Sequence, residues 1–193
     1  MRRRTFSIGK PQSGLIASLP RMSNVPTILN VGCGAIRIPG SIGVDFDPAT
    51  TADVIHDLDV FPWPFAEASF DRIVCSHVLE HLKTPWKAMQ ELIRIARPGA
   101  LVEIATPHYS SPDSWGDITH YMHYSLKTLE PYYRRKTGVA PFELVSRRLT
   151  FGHGLPSLIA RATAAVCGLS FYEKYVCLVF RAGNMEFVLR RTG

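Results

Sequence analysis

The run Thr27-Ile28-Leu29-Asn30-Val31 leads straight into Gly32-Cys33-Gly34, and eleven residues beyond Gly34 an acid, Asp45, closes a second short apolar run. A brief apolar stretch ending in a glycine turn is the pattern of a buried parallel strand. Glycine serves where the chain must turn tightly at positive φ and bring bare backbone to a ligand. A carboxylate at the end of the next strand can accept hydrogen bonds from both hydroxyls of a ribose. Taken alone, the GxG turn fits a structural bend equally well, and it is the spacing to Asp45 that points to a nucleoside site.

The same theme recurs along the chain. Ser41–Phe46 and Ala52–His56 read as the second and third strands, Phe70–Ser76 as the fourth and Leu101–Thr106 as the fifth, after the turn Arg97-Pro98-Gly99. Between the last two, Thr84–Ala96 carries apolar residues at helical spacing and opens on Thr84-Pro85, a good helix start. Leu126–Thr137 reads as a helix, Phe142–Phe151 as a strand, Leu155–Leu169 as a helix and Met185–Thr192 as a final strand. Strands alternating with helical connections predict an α/β fold with a Rossmann-like, doubly wound, mostly parallel sheet in three α/β/α layers. The last two strands are expected to form a C-terminal antiparallel hairpin around an inserted helix at 152–170.

With 193 residues, 46% of them hydrophobic, the chain supports one sizeable core, so a single domain is expected over 27–193, preceded by an arm or short helix at 1–26. Leu155–Leu169 is too short to span a bilayer and reads by default as a buried helix, with a lid or membrane-contact role as the other options. The Arg2-Arg3-Arg4 start lacks the apolar continuation of a secretory signal, and a cytoplasmic location is expected. Cys33, Cys75, Cys167 and Cys177 show no CxxC spacing and are expected as reduced, buried thiols. The net charge of +6 gathers partly in Arg134-Arg135-Lys136, Arg147-Arg148 and Arg190-Arg191. No nucleic-acid-binding signature accompanies these pairs, so a solvated basic surface is the reading and nucleic acid is not expected as a partner.

The candidate ligand residues stand at the carboxyl ends of successive strands, where open α/β sheets bind ligands. Gly32 and Gly34 follow the first strand, Asp45 ends the second, and Asp57 follows the third where it can meet an adenine amino group. This pattern selects an adenosine-type ligand. NAD would call for G-x-G-x-x-G at a helix start; the sequence reads G-C-G-A-I-R, without the third glycine.

The segments ILNVGCG, GVDFDP, DVIHDLDVFPWPFAEASFDRIVCSHVLEHL and RPGALVEIATPHYSS, in this order over roughly 27–110, resemble the successive motifs of the class I S-adenosylmethionine (SAM)-dependent methyltransferases, in particular the methyltransferase type 11 group. The resemblance implies SAM as cofactor and S-adenosylhomocysteine as product. It implies that Asn30, Gly32, Cys33 and Gly34 surround the methionine part, that Asp45 and Phe46 hold the ribose and flank the adenine, that Asp57 and Leu58 contact the adenine, and that Ser76 and His77 lie beside the methyl group. The sequence departs from the family at Asn30, where an acid is usual, and in the short connection between the first two strands, whose helix is expected to be truncated or absent. A further similarity, to small methyltransferases of glycan or natural-product pathways, implies transfer to an O or N atom of a saccharide or secondary metabolite. A SAM-binding module without catalysis and a methyltransferase of RNA or protein are the alternatives, and a homodimer is compatible with the sequence.

Methyl transfer from a sulfonium is an in-line displacement, in which the protein mainly aligns the acceptor and excludes water. A hydroxyl acceptor gains from a nearby base, and histidine suits neutral pH. His108, directly after the fifth strand, is the first candidate, with His77 and His120 behind it; each fits a structural hydrogen-bonding role as well. The stretch 107–125, rich in His, Tyr, Ser, Asp and Trp, is the expected active-site loop. Asp117, His120 and His123 have spacing that permits convergence on a metal, but a structural role is preferred and no metal is expected. His81 reads as a packing or capping residue, and Trp63, between two prolines, as packing.

Overall fold

The computed structural model describes residues 26–134 and 140–193. The arm expected at 1–26 lies outside these residues except for Pro26, as do Arg135, Lys136 and the end of the helix expected to reach Thr137.

Seven strands form one sheet: β1 (Ile28–Val31), β2 (Ser41–Asp45), β3 (Val54–Ile55), β4 (Phe70–Ser76), β5 (Ala96–Pro107), β6 (Phe142–Leu149) and β7 (Asn184–Arg191). Their spatial order is β3-β2-β1-β4-β5-β7-β6. The pairs from β3 to β5 are parallel, and β7 runs antiparallel to both β5 and β6. The order reverses between β1 and β4, and a doubly wound sheet opens its ligand crevice at that switch point. The expected α/β class, mostly parallel sheet and C-terminal hairpin are all present. Between β6 and β7 the chain inserts α4 (Leu155–Cys167) and α5 (Leu169–Tyr175).

The two faces of the sheet differ because side chains alternate along each strand. One face carries the buried rows Leu29, Ile73, Val102, Leu189 and Val31, Cys75, Ile104, Phe187, aligned across β1, β4, β5 and β7. These rows belong to the same core as Ala88, Met89, Leu92 and Ile95 of α1 (Pro85–Ile95). The opposite face alternates apolar with charged side chains. Arg72 donates to both carboxylate oxygens of Glu103 at 2.7 and 2.9 Å, and Arg148 pairs with Glu186 at 2.5 Å. Among the described residues the connections 32–40, 46–53 and 56–69 contain no helix, so the layer on this second face is sparse.

Three expectations change in detail. Of the helix expected over Leu126–Thr137, the described residues 126–134 are helical over α3 (Glu130–Tyr133), and the 107–125 loop holds a short helix, α2 (Pro112–Gly116). The inserted helix α4 is not buried: its small Ala160 and Ala164 turn inward while Leu155, Leu158 and Val166 face out. Cys167 is exposed, and the other three cysteines are buried; all four are free thiols. No helix of the described residues is long and apolar enough to cross a membrane.

Candidate active site

The site begins with the turn after β1. Gly32 and Gly34 adopt φ of +60° and +51°. A Cβ on Gly32 would meet Val78 Cγ2 at 2.4 Å, so the loop after β4 packs directly on bare backbone. The amide of Gly34 donates to Asp45 Oδ2 at 2.8 Å, and Asp47 N donates to Oδ1 at 3.0 Å. An ionised carboxylate accepts about four hydrogen bonds, so these two donors leave Asp45 with capacity for others.

A cleft of about 530 Å³ opens here, within the usual span of small-ligand sites. It brings together Gly32, Asp45, Phe46, Asp57, Leu58 and His77 from the expected cofactor residues. Phe46 is 72% exposed, a free aromatic face at the rim, whereas Leu58 is buried as part of the floor. The remaining four expected residues do not line it. Asn30 donates its amide to the Ile36 carbonyl at 2.9 Å and latches the short β1–β2 loop. Cys33 is buried against Gly43, where an added Cβ would lie 2.9 Å from its sulfur. Burial first, and then Asp45, raise its thiol pKa. Gly34 contributes through its amide to Asp45, and Ser76 lines a separate depression on the charged face of the sheet. Asp59, which the sequence reading passed over, lies in the cleft wall and accepts hydrogen bonds from Lys83 N and Thr84 N at the start of α1.

At the end of β4 the chain reverses at His77, whose φ of +55° is unusual for a residue with a side chain. A single 3-10 turn, Leu79–His81, follows and carries Glu80 inward to 1% exposure. His77 Nδ1 lies 3.2 Å from Glu80 Oε1, though not in the direction of a hydrogen bond. The contact with Glu80 raises the imidazole pKa above its ordinary value, outweighing the opposite effect of partial burial. On the other ring edge Asn184 Nδ2 stands 3.4 Å from Nε2.

A second cleft, of about 550 Å³, is lined by Pro107, Asp113, Asp117, His120 and Asn184, and His77 lines both clefts. His120 therefore reaches the site and His108 does not. His108 is fully buried and lines neither cleft. Ser110 N–H donates to its Nδ1, which fixes the proton on Nε2, and Nε2 donates to Glu173 Oε1 at 3.1 Å. The first candidate base is thus a structural clamp between the end of β5 and α5. The loop set Asp117, His120 and His123 is not assembled either, because His123 stacks on Trp115 at 3.5 Å and bonds Ser114 Oγ. Trp63 is buried as packing, its indole donating to the Leu58 carbonyl.

Residues 29–104, which contain all the lining residues of the first cleft except Thr119 and Tyr121, match the family described as a methyltransferase domain. A protein of Mycobacterium sp. (strain JLS) described as an uncharacterized methyltransferase is 34% identical over 61 residues, covering 31% of this chain and 24% of its own length. The chain thus spans about a quarter of that curated relative. Among solved structures, a SAM-dependent methyltransferase from Archaeoglobus fulgidus aligns with a TM-score of 0.59 at 17% identity, over 89% of each chain. The cyclase SpnF aligns with the same TM-score at 18% identity, over 93% of this chain and 80% of its own. The fold is the Rossmann-like α/β fold of these SAM-dependent methyltransferase structures, and residues 29–104 are similar in sequence to the methyltransferase domain family.

Proposed function

We propose that this protein is a SAM-dependent methyltransferase, with SAM in the cleft bounded by Gly32, Asp45, Phe46, Asp57 and Leu58 and the acceptor in the neighbouring cleft. The observation that carries this reading is His77, the strained residue at the end of β4 that forms a wall of both clefts. A residue shared by the two clefts is placed to serve a transfer between molecules held in them, which depends on their alignment.

The acceptor we propose is a hydroxyl of a small molecule such as a saccharide or secondary metabolite. The acceptor oxygen forms the new bond to the methyl carbon while the carbon–sulfur bond breaks. Its electron pair goes to sulfur, leaving neutral S-adenosylhomocysteine. An amide nitrogen only donates, so Asn184 Nδ2 favours a lone pair on His77 Nε2. His77 Nε2 is accordingly our candidate for taking up the hydroxyl proton, with His120 as an acceptor-orienting group. The shared fold of the cyclase SpnF is a reason to test turnover directly, because a fold hosts more than one chemistry.

The test is the release of S-adenosylhomocysteine from SAM over a panel of saccharide and polyphenol hydroxyls, with His77→Ala beside the parent protein. Acceptor-dependent release, lost in the variant while cofactor binding persists, supports the reading. Cofactor binding without release on any acceptor supports a binding module instead.

A further inference from the structure

We infer that Glu80, His81 and His120 form a binding site for one divalent first-row transition-metal ion at the border of the two clefts. One donor atom of each lies within 4.8 Å of the other two. Bonds of about 2.1 Å in a tetrahedral site separate donors by about 3.4 Å, so side-chain rotation of about an ångström closes the set.

Three independent features mark this as more than a chance cluster. Glu80 is 1% exposed, neither of its carboxylate oxygens accepts a hydrogen bond, and its ion-pair contact is His77 Nδ1, 3.2 Å from Oε1. One half-exposed imidazole on Oε1 leaves this buried carboxylate short of hydrogen bonds, which is expensive, and a cation relieves that cost. Next, both imidazoles are held in the ligating tautomer. Thr119 Oγ1 gives its single proton to Asp117 Oδ1 at 2.7 Å, so in its 2.8 Å contact with His81 Nδ1 it must accept. His120 Nδ1 lies 3.1 Å from the Ser114 carbonyl, which also only accepts. These contacts place the proton of each ring on Nδ1 and the lone pair on Nε2, the arrangement that outer partners impose on metal-binding histidines; Asp117 Oδ2 stands 3.9 Å from His120 Nε2. Finally, the backbone fastens the two halves together: Tyr121 N donates to the Glu80 carbonyl at 2.8 Å, docking the 117–122 loop on the turn that holds Glu80 and His81.

Two nitrogens and one oxygen suit Zn²⁺, Co²⁺ or Fe²⁺ better than Mg²⁺ or Ca²⁺, which prefer oxygen alone. Three protein ligands leave at least one position open, the pattern of a working rather than a purely structural site. His81 lines the cofactor cleft and His120 the second cleft. The open position is therefore available to an oxygen of the acceptor, whose hydroxyl a metal would acidify. That last role rests on the methyl-transfer reading; ion binding does not.

The experiment uses the full chain, stripped with a chelator and titrated with Zn²⁺ against a chromophoric competitor, with visible ligand-field absorption of Co²⁺ as a second readout. One ion per chain is expected. Affinity should fall by at least about 100-fold in Glu80→Gln and His120→Ala and stay unchanged in His123→Ala. Circular dichroism confirms that each variant is folded, and a parallel titration with S-adenosylhomocysteine keeps a failed cofactor reading distinct from a failed metal site. Zn²⁺ binding that is absent, or that persists in folded Glu80→Gln and His120→Ala, overturns the proposal.

Discussion

Val78 packs against Gly32 so closely that the Cβ of any other residue at 32 would sit 2.4 Å from Val78 Cγ2. The glycine turn after β1 and the reversal after β4 are thereby locked together at the switch point of the sheet. Gly32→Ala combines that clash with a φ of +60° and should cost about 2–4 kcal/mol in denaturant unfolding. In a Val78→Ala background, which carries its own cost from lost core contacts, the same Gly32→Ala change should cost only about 1 kcal/mol, from the backbone conformation. An equal cost of Gly32→Ala with Val78 and with Ala at that position would remove Val78 from the explanation.

Glu173 connects α5 to the end of β5 and to the turn at Leu126. Its Oε1 accepts from His108 Nε2 at 3.1 Å and from Leu126 N at 2.6 Å. Burial works to raise its pKa, but the His108 and Leu126 hydrogen bonds outweigh it and hold the carboxyl below its ordinary value. The unfolded chain titrates near about 4.3. Ionised Glu173 therefore stabilises the fold fully above that pH, and the stabilisation is lost as pH falls through the lower folded-state value. Glu173→Gln should flatten the fall of the melting temperature in this acid range. His108→Ala should cost about 3 kcal/mol while leaving the affinity for S-adenosylhomocysteine unchanged. A His108 variant that keeps full stability but loses turnover would return this residue to the chemistry.

The inserted helix α4 presents an inverted pattern, small residues inward and large apolar ones outward. Ala164→Leu should destabilise by about 1–3 kcal/mol through overpacking. Val166→Ser, at a position 85% exposed, should stay within about 0.5 kcal/mol. The reverse ranking in chemical denaturation would show that the outer face of α4 is covered in solution.

That helix also shows where sequence legibility ends. Strand runs and the GxG-to-Asp45 spacing are local signals, and they placed β1, β2 and β4 close to where they stand and named residues that line one cleft. The apolar richness of Leu155–Leu169 says that something should be covered but not which face, because Ala160 and Ala164, one turn apart, offer the closer fit to the core. The histidines were harder for a different reason. Which of His77, His81, His108, His120 and His123 converge depends on the reversal at His77 and on the 117–122 loop docking at Glu80, both set by long-range backbone contacts. A signal for Glu80 was present in Glu80-His81, two ligand-type residues beside a strand end, but their partner His120 lies far along the chain and no local spacing points to it.

The most direct measurement is calorimetric titration of the full chain with S-adenosylhomocysteine and, separately, with NAD, repeated on Asp45→Ala. The expected result is saturable binding of S-adenosylhomocysteine at one site per chain, weakened by about 10-fold to 100-fold in Asp45→Ala as two charge-assisted hydrogen bonds are lost, with no binding of NAD. Equal affinity of the parent protein and the variant, or binding of NAD in place of S-adenosylhomocysteine, would contradict the assignment of the cleft between β1, β2 and β4 to SAM.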